Sequence, residues 1–167
     1  GAVLVTSGPG ATNTITGLLN CYQDSIPVIF ISGQTKVEQT VLNSNIKNLR
    51  QFGSQEANII PIVSSITKYA AEIQDYTEIK YHLERAIFEA KNGRPGPVWL
   101  SVPLDIQAAL IDEKNLKEFN NNYQEIKVEP SIDEIEYILT ELKNAKRPVI
   151  IAGHGISTSN SNDLLDK

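Results

Sequence analysis

The fold is decided by the opening stretch Gly1-Ala-Val-Leu-Val-Thr-Ser-Gly-Pro-Gly-Ala-Thr-Asn13 and by the later run Pro27-Val-Ile-Phe-Ile-Ser32. Val3-Leu-Val5 and the later run are continuously apolar, which is typical of strands buried on both faces of a parallel sheet. A helical stretch from Ala11 to about Tyr22 separates them, so the order is strand, helix, strand. This order predicts an α/β fold with a doubly wound parallel sheet.

The same alternation continues further along the chain. We expect a helix from about Thr77 to Lys91, because its apolar residues recur at helical spacing on one face. These residues are Ile79, Leu83, Ala86, Ile87 and Ala90. Asn92-Gly-Arg-Pro-Gly-Pro97 then ends the helix, and Val98-Trp-Leu-Ser-Val102 follows as another buried strand. Between Gly33 and Asn58 the chain is polar, which predicts a long loop with room for one short helix.

Changes in composition divide the chain into three regions. Residues 1–110 are predicted to form the α/β domain, and residues 111–130, rich in Asn, Glu and Lys, an exposed linker. A second α/β domain is expected to begin at residue 131 and to be cut off at Lys167. The composition contains no methionine and the chain opens with an apolar run, so we expect the natural start to lie upstream.

The second domain is predicted to open with a helix. Ser131 is its expected N-cap, and Glu134 three residues later completes a capping-box pattern. The helix should run to about Asn144. Pro148-Val-Ile-Ile-Ala152 is predicted to follow as another buried strand.

Composition excludes several classes of function. Charged residues make up 21% of the 167 residues and the net charge is −5, which argues against a nucleic-acid surface. No apolar run approaches the roughly 20 residues that span a bilayer, so no membrane partner is expected. Cys21 is the single cysteine, which excludes an internal disulfide and favours a reducing, cytoplasmic setting.

The loop Thr6-Ser-Gly-Pro-Gly-Ala-Thr-Asn13 is the strongest candidate for a binding site. It follows a strand and precedes a helix, where open α/β sheets bind ligands. It is not the dinucleotide fingerprint, because Asn13 stands in place of the third glycine, and it is not a P-loop. The alternative is a tight strand-to-helix turn with Ser7 as a cap.

Further short motifs follow this loop. They are Asp24-Ser-Ile-Pro-Val28, Ser32-Gly-Gln34, Gln55-Glu56, Ile66-Thr-Lys68, Gly93-Arg-Pro-Gly-Pro-Val98 and Val102-Pro-Leu-Asp-Ile-Gln107. In this order they resemble the acetolactate synthase branch of the thiamine-diphosphate decarboxylase-like superfamily. The run from Ala2 to Gln107 is more specific than any single motif. Ala145 to Ser157 is similar to the start of the family's central domain.

The resemblance implies that thiamine diphosphate binds between domains of different subunits. Residues 1–110 would be the pyrimidine-binding domain without its N-terminal part, and residues 131–167 the first elements of the central domain. The expected cofactor-binding residues are Gly8, Pro9, Gly10, Asn13, Gln34 and Gln55. Gln55 is also the expected catalytic residue, since a side-chain amide at the reaction centre can donate to a developing alkoxide or orient a carboxylate.

The resemblance also implies groups outside this chain. The family's catalytic glutamate would precede Gly1, and a domain beyond Lys167 would bind the Mg²⁺ that holds the diphosphate. FAD is a further cofactor of those members that have a glycine-rich loop where this chain has Gly153-His-Gly155. The expected partners are a 2-oxo acid substrate and the other domains and subunit of a homodimer or homotetramer. We expect the chain alone to be inactive.

Two departures from the family pattern touch the wall of the substrate pocket. Ser54 stands where the family has phenylalanine, with Phe52 two residues earlier, and the stretch from Gln34 to Gln55 is longer than is typical. The main prediction is a transferase or lyase that forms or cleaves the C–C bond next to the keto group of a 2-oxo acid, most like acetolactate synthase. The alternatives are a thiamine-dependent decarboxylase or ligase for another 2-oxo acid, and a non-enzymatic nucleotide-binding module.

Other candidate residues have simpler interpretations. His82 lies off the apolar face of its helix and is predicted to face solvent, and His154 to be a loop histidine without function. Cys21 is expected to be an inert packed thiol. Lys68 either approaches the active-site entrance or covers the sheet with its aliphatic stem. Arg94 and Glu56 are candidates for an ion pair.

Overall fold

The computed structural model describes residues 1–120 and 129–165, and the chain separates into two compact units, Gly1–Asn121 and Asn122–Lys167. The first unit contains one four-stranded sheet. Its strands are β1 (Ala2–Val5), β2 (Ile29–Gln34), β3 (Tyr69–Glu72) and β4 (Val98–Pro103). They lie in the order β1-β2-β4-β3 and every neighbouring pair is parallel. The predicted parallel α/β sheet is confirmed.

Helices cover both faces of this sheet. They are α1 (Pro9–Thr12), α2 (Ile15–Gln23), α3 (Ile59–Val63), α4 (Ile79–Lys91) and α5 (Leu104–Ala108). On one face the core packs Leu18 of α2 and Val63 of α3 against Phe30 and Trp99. The rings of Phe30 and Trp99 stack with centroids 5.3 Å apart, and the Trp99 indole N–H donates to Ser32 Oγ at 3.0 Å. Because both faces are covered, the central strands β2 and β4 place apolar side chains on both faces of the sheet.

Helix α4 covers the other face. Ala86 and Ala90 are fully packed against Val98 and Leu100 of β4, as the helical spacing predicts. Ile87, which the same spacing assigns to the buried face, is instead 51% exposed. The small side chains of the two alanines make the close contact with the sheet, so Ile87 lies at the border of the interface.

The helix predicted from Ala11 to Tyr22 is two helices in the structure, with a break at Asn13 and Thr14. The hydroxyl of Thr14 donates to the Ala11 carbonyl oxygen at 2.8 Å, and its N–H donates to the same oxygen at 3.1 Å. Threonine hydroxyls that bond to nearby carbonyls compete with the helical ladder. The local hydrogen bonds of Thr14 therefore accompany the change from α1 to α2.

Two elements of the first unit were not predicted. The short strand β3 has the sequence Tyr-Ala-Ala-Glu, which lacks the β-branched residues that mark strands. The apolar run Ile59–Val63 is helix α3 and not a strand, and Ile59 and Val63 face the core one turn apart. The long loop between β2 and α3 contains two single-turn 3₁₀ helices, Val37–Gln39 and Val41–Asn43.

The described part of the second unit contains the helices α6 (Ile132–Asn144), α7 (Gly155–Thr158) and α8 (Asn162–Leu165). The predicted capping box is confirmed, because Ser131 and Glu134 exchange side-chain to backbone hydrogen bonds. The predicted strand Pro148–Ala152 is wrong. These residues form no strand and Val149, Ile150 and Ile151 are 84%, 75% and 91% exposed. A strand needs a paired neighbour, and the described part of this unit contains no other strand.

Residues 112–120, within the predicted linker, pack on α4. Lys117 Nζ lies 2.7 Å from Glu78 Oε1, and the Phe119 N–H donates to Glu84 Oε2 at 2.9 Å. Residues 121–128 lie outside the described residues, so the linker stays a prediction. Across residues 1–120 and 129–165 we find no helix that combines the length and apolarity needed to cross a bilayer.

Candidate functional site

The loop Thr6–Asn13 leaves the carboxyl end of β1 through Gly8. Gly8 has φ +56° and ψ −121°, a conformation that residues with a side chain avoid. A Cβ at this position would also overlap the main-chain carbonyl oxygen of Gln55. Pro9 then begins α1, but Gly8 and not Ser7 is the N-cap, and no side chain caps the helix. The alternative with Ser7 as the cap is therefore wrong.

Gln55 lies on a second turn that contacts the first loop. Its φ is +55°, in the left-handed region that is uncommon for a residue with a side chain. Gly53, two residues earlier, has no room for a Cβ because Thr35 packs against it at the end of β2. The structure thus brings the predicted residues Gly8 and Gln55 into main-chain contact, although they are 47 positions apart in the sequence.

Gln34, the last residue of β2, is buried and its side chain is fully engaged by the protein. Its amide nitrogen donates to the Ala57 carbonyl oxygen at 2.9 Å and to Glu72 Oε2 at 3.2 Å. Its amide oxygen accepts the Thr35 N–H at 3.0 Å. These hydrogen bonds connect β2 to β3 and to the end of the long loop. Gln34 therefore stabilises the positions of the segments around the site.

A cleft of about 870 Å³ lies at the carboxyl edge of the sheet, between the ends of β1, β2 and β4. Its fourteen lining residues are all uncharged. The polar ones are Thr6, Ser7, Ser32, Gln34, Thr35, Gln39, Ser54 and Gln107, and the others are Leu4, Val5, Ile31, Gly33, Val102 and Leu104. A lining that combines apolar side chains with neutral hydrogen-bonding groups suits a flat, uncharged heterocycle. A diphosphate would need cations, and none lines this cleft.

The remaining predicted residues are not among those that line the cleft. Pro9 and Asn13 are exposed at the two ends of α1, and Gly10 packs on Thr6, whose methyl group would lie 2.5 Å from a Cβ on Gly10. Gln55 is exposed next to Ser54, which lines the cleft. Phe52 is 52% exposed and is not among the residues that line the cleft, so Ser54 forms this part of the wall.

Several residues that support the cleft were not predicted. The Asp105 carboxylate, in α5, accepts the Val37 N–H at 3.1 Å and so holds the start of the long loop. Gln107 donates to the Val102 carbonyl oxygen at 2.7 Å. Their place directly after a buried strand could have indicated them, because ligands bind where parallel strands end.

Glu56 and Arg94 do not form the suggested ion pair. The Glu56 carboxylate accepts main-chain N–H groups of the long loop. Arg94 lies at the opposite, amino edge of the sheet, where its Nε donates to Ser25 Oγ at 2.7 Å and its Nη2 to the Gln23 carbonyl oxygen at 3.4 Å. Folding therefore separates two residues that charge alone would pair.

Lys68 also lies at the amino edge, just before β3 begins. Its ammonium group donates to the Asn92 carbonyl oxygen at 2.5 Å, and its stem packs on Gly96. Burial lowers the pKa of Lys68 below its ordinary value. With Arg94 it lines a small cleft of about 300 Å³ on the edge opposite to Gly8 and Gln55. Of the two interpretations of Lys68, the structure favours the structural one.

His82 is not solvent-facing, contrary to prediction. Its side chain is only 13% exposed, and its Nδ1 shares a hydrogen bond of 2.6 Å with the Tyr69 hydroxyl. Burial lowers the pKa of His82, an effect that nearby Glu78 partly offsets. Burial likewise raises the pKa of Tyr69. Among the described residues, no cluster of three or more His, Cys, Asp and Glu side chains is placed to hold a metal ion.

The fold is an α/β domain with an uncharged cleft at the carboxyl edge of its sheet, and comparison with known families shows what it is similar to. Residues 1–56 match the family described as thiamine pyrophosphate enzyme, N-terminal TPP binding domain. The matched range contains the Gly8 loop, β2 and the turn at Gln55, and it includes eleven of the fourteen residues that line the cleft. The resemblance to thiamine-diphosphate enzymes predicted from the motifs is confirmed.

Individual relatives extend this similarity to the rest of the chain. The chain is 35% identical over 164 residues to the acetolactate synthase large subunit of Lactococcus lactis, covering 98% of the chain and 27% of that protein. It is 38% identical over 169 residues to the large subunit from Buchnera aphidicola subsp. Acyrthosiphon pisum, covering 99% and 28%. For the chloroplastic acetolactate synthase of Arabidopsis thaliana the identity is 32% over 169 residues, covering 100% and 24%. The chain thus spans about a quarter of the length of these curated relatives.

Proposed function

We propose that the chain is part of a thiamine-diphosphate-dependent enzyme that forms or cleaves the C–C bond next to the keto group of a 2-oxo acid, most like acetolactate synthase. The observation that carries this proposal is the uncharged cleft at the carboxyl edge, where Gly8 and Gln55 meet. Its neutral, partly apolar lining fits the aminopyrimidine ring. The same lining does not fit a diphosphate with a metal ion, which agrees with a second domain holding those groups.

In this proposal each predicted residue has a role on the pyrimidine side of the cofactor. Thiamine diphosphate supplies the carbanion chemistry when bound. The main chain at Gly8 and Gly10, with Pro9, Asn13 and Gln34, holds and shapes the binding surface. The side-chain amide of Gln55 donates a hydrogen bond to the oxygen of the 2-oxo acid. This hydrogen bond contributes to catalysis when the amide dipole is fixed and water is excluded from the site.

The proposal extends to groups outside the chain. Mg²⁺ would be held by another domain, and FAD would be bound if the enzyme belongs to the flavin-containing branch, which the visible absorption of the purified protein would reveal. A second subunit in a homodimer or homotetramer would complete the active site. The single cysteine, Cys21, is a free thiol, which supports a cytoplasmic enzyme.

A second candidate is a thiamine-dependent decarboxylase or ligase for another 2-oxo acid. Ser54 in the cleft wall favours it, because a hydroxyl in place of a phenyl ring makes the pocket wider and more polar. The two candidates differ in product. Acetolactate from pyruvate would support the first, whereas release of an aldehyde, or turnover of a different 2-oxo acid in preference to pyruvate, would support the second.

The test uses the full-length protein with Mg²⁺. Calorimetry should detect thiamine diphosphate binding, and Gln55→Ala should lower kcat/KM for the 2-oxo acid by about 100- to 1000-fold, the effect of losing one fixed dipole. Gln23→Ala, an exposed glutamine at the opposite edge, is the matched control and should leave kcat/KM unchanged. Binding of NAD or another nucleotide without any binding of thiamine diphosphate would replace the proposal with a nucleotide-binding module.

A further inference from the structure

The long loop between β2 and α3 is closed by a buried carboxylate. Glu56 is 8% exposed. One carboxylate oxygen, Oε1, accepts the Val41 N–H in a short hydrogen bond. The other, Oε2, accepts the N–H groups of Phe52 at 2.7 Å and Gly53 at 3.2 Å. A single side chain thus joins two parts of the loop that are eleven or more residues apart.

The segment that this carboxylate holds, residues 52–55, contacts two neighbouring parts of the fold beside the cleft. Gly53 packs on Thr35 at the end of β2, and the Gln55 carbonyl oxygen packs on Gly8. Ser54, between them, lines the cleft. Gln55 keeps its left-handed backbone only while its neighbours are fixed, because that conformation is unfavourable for a residue with a side chain.

We propose that Glu56 is a positioning residue that sets the place of Ser54 in the wall of the cleft and of Gln55 next to it. The proposal rests on the function proposed above. Glu56 does not touch the reacting atoms, because both of its oxygens bond to the main chain of the loop. It acts by holding residues 52–55 in one arrangement, and small displacements of a catalytic group cause large losses of rate.

The hydrogen bonds make Glu56→Gln the most informative change. Every partner of Glu56 named above is an N–H donor. A glutamine offers one acceptor oxygen and one donor NH₂ group, so its nitrogen must face an N–H and leave it unpaired. The size and shape of the side chain stay the same, so a loss of activity reports on the hydrogen bonds and not on a cavity.

The experiment measures both the loop and the reaction in the full-length protein. Glu56→Gln should speed amide hydrogen exchange at Val41, or at Phe52 and Gly53, by about tenfold or more, the effect of losing a charge-assisted bond. It should lower kcat/KM for the 2-oxo acid by about 10- to 100-fold. The Kd of thiamine diphosphate should change less than about threefold, because the cofactor keeps its other contacts.

Glu84→Gln is the matched control. Glu84 also accepts a main-chain N–H, that of Phe119, but on α4 and away from the cleft. We expect its kcat/KM to equal that of the parent protein. Exchange at Val41, Phe52 and Gly53 should not change either.

A second variant covers the case in which Glu56→Gln does not fold. Val41→Pro removes one donor and leaves Glu56 in place. The preceding residue, Thr40, has φ −88° and ψ 150°, which a following proline accepts. This variant should lower kcat/KM in the same direction by about 3- to 10-fold, since one bond of the three is lost.

The possible results separate the two proposals. Faster exchange in the loop with unchanged kcat/KM would overturn the positioning role of Glu56. An equal loss in thiamine diphosphate affinity and in kcat/KM would also overturn it, because the effect would then be general. A parent protein that fails to bind thiamine diphosphate would instead refute the proposed function, whatever the exchange rates show.

Discussion

The two edges of the sheet are built in opposite ways. At the carboxyl edge, long segments leave β1 and β2, and their main chains meet at Gly8 and Gln55 in left-handed conformations beside an uncharged cleft. At the amino edge, the cations of Lys68 and Arg94 bind main-chain and hydroxyl oxygens of the neighbouring connections. The difference teaches that one sheet can keep an open cleft at one edge while side chains at the opposite edge bond to its own connections.

The largest effect should come from a pair of glycines, one near each edge. Gly8 and Gly93 both have positive φ, but a Cβ on Gly8 would overlap Gln55, whereas nothing lies within 4 Å of a Cβ on Gly93. We expect Gly8→Ala to lower the free energy of unfolding by about 2–4 kcal/mol, from strain and overpacking. Gly93→Ala should cost about 1 kcal/mol, from the backbone conformation alone.

Urea denaturation of both variants, compared with the parent protein, measures this difference. Equal losses for the two glycines would mean that the contact between Gly8 and Gln55 does not constrain the carboxyl edge. Gly8→Ala should also weaken thiamine diphosphate binding, which calorimetry would detect.

A smaller effect is expected for one polar anchor from each edge. Asp105→Ala removes the carboxylate that accepts the Val37 N–H, and should lower the free energy of unfolding by about 1–2 kcal/mol. Arg94→Ala removes bonds made by a more exposed side chain and should cost about 0.5–1 kcal/mol. Thermal or urea unfolding would rank them, and the reverse order would contradict the stronger anchoring assigned to Asp105.

Limited proteolysis separates the two anchors further. Of the two variants, only Asp105→Ala should increase cleavage within residues 35–58, because Asp105 bonds to that loop and Arg94 does not. Increased cleavage there in Arg94→Ala would show that the two edges are coupled.

The smallest effect is expected for the pH dependence of stability, through the partly buried side chain of His82 on α4. His82 faces Tyr69, Tyr81, Glu78, Arg85 and Lys117. Its pKa is lowered in the folded protein, chiefly by burial, so the unfolded chain binds a proton more readily. The contribution of His82 to stability is therefore complete above its ordinary pKa of about 6.5 and decreases as the pH falls below that value.

Urea denaturation from about pH 8 to about pH 5 tests this dependence, with His82→Gln as the comparison. The parent protein should lose more stability than the variant as the pH falls, because glutamine does not titrate. Parallel curves would show that His82 is not protected from protonation by its burial.

Much of the fold could be predicted because local patterns decide it. Three predicted features depend on residues that are close together in the chain. They are the apolar runs of β1, β2 and β4, the spacing of Ala86 and Ala90, and the capping box at Ser131. The two failures show the limit of such patterns. Strand β3 is too short and too rich in alanine to be recognised from its sequence. Residues 148–152 have the composition of a strand, but the described part of their unit contains no strand with which they could pair.

The candidate site could be predicted only in part. The order of the motifs pointed to Gly8 and Gln55, and the structure brings their main chains together. The order of the motifs could not indicate that Gln34 bonds to Ala57 and Glu72, which lie 23 and 38 positions away. Nor could it indicate that Glu56 closes the long loop by bonding to residues up to 15 positions away. Hydrogen bonds between distant residues leave no periodic pattern in a sequence.

The sequence by itself determined the class of fold, the candidate binding loop, and the resemblance to thiamine-diphosphate enzymes, since each depends on residue types in a fixed order. Only the tertiary structure decided which residues share an edge of the sheet. It separated Lys68 and Arg94 from the cleft, buried His82 against Tyr69, and joined Glu56 to the main chain of its own loop. The physical reason is that burial and hydrogen bonding depend on distances in space, which are set when the strands pair and not by the order of residues along the chain.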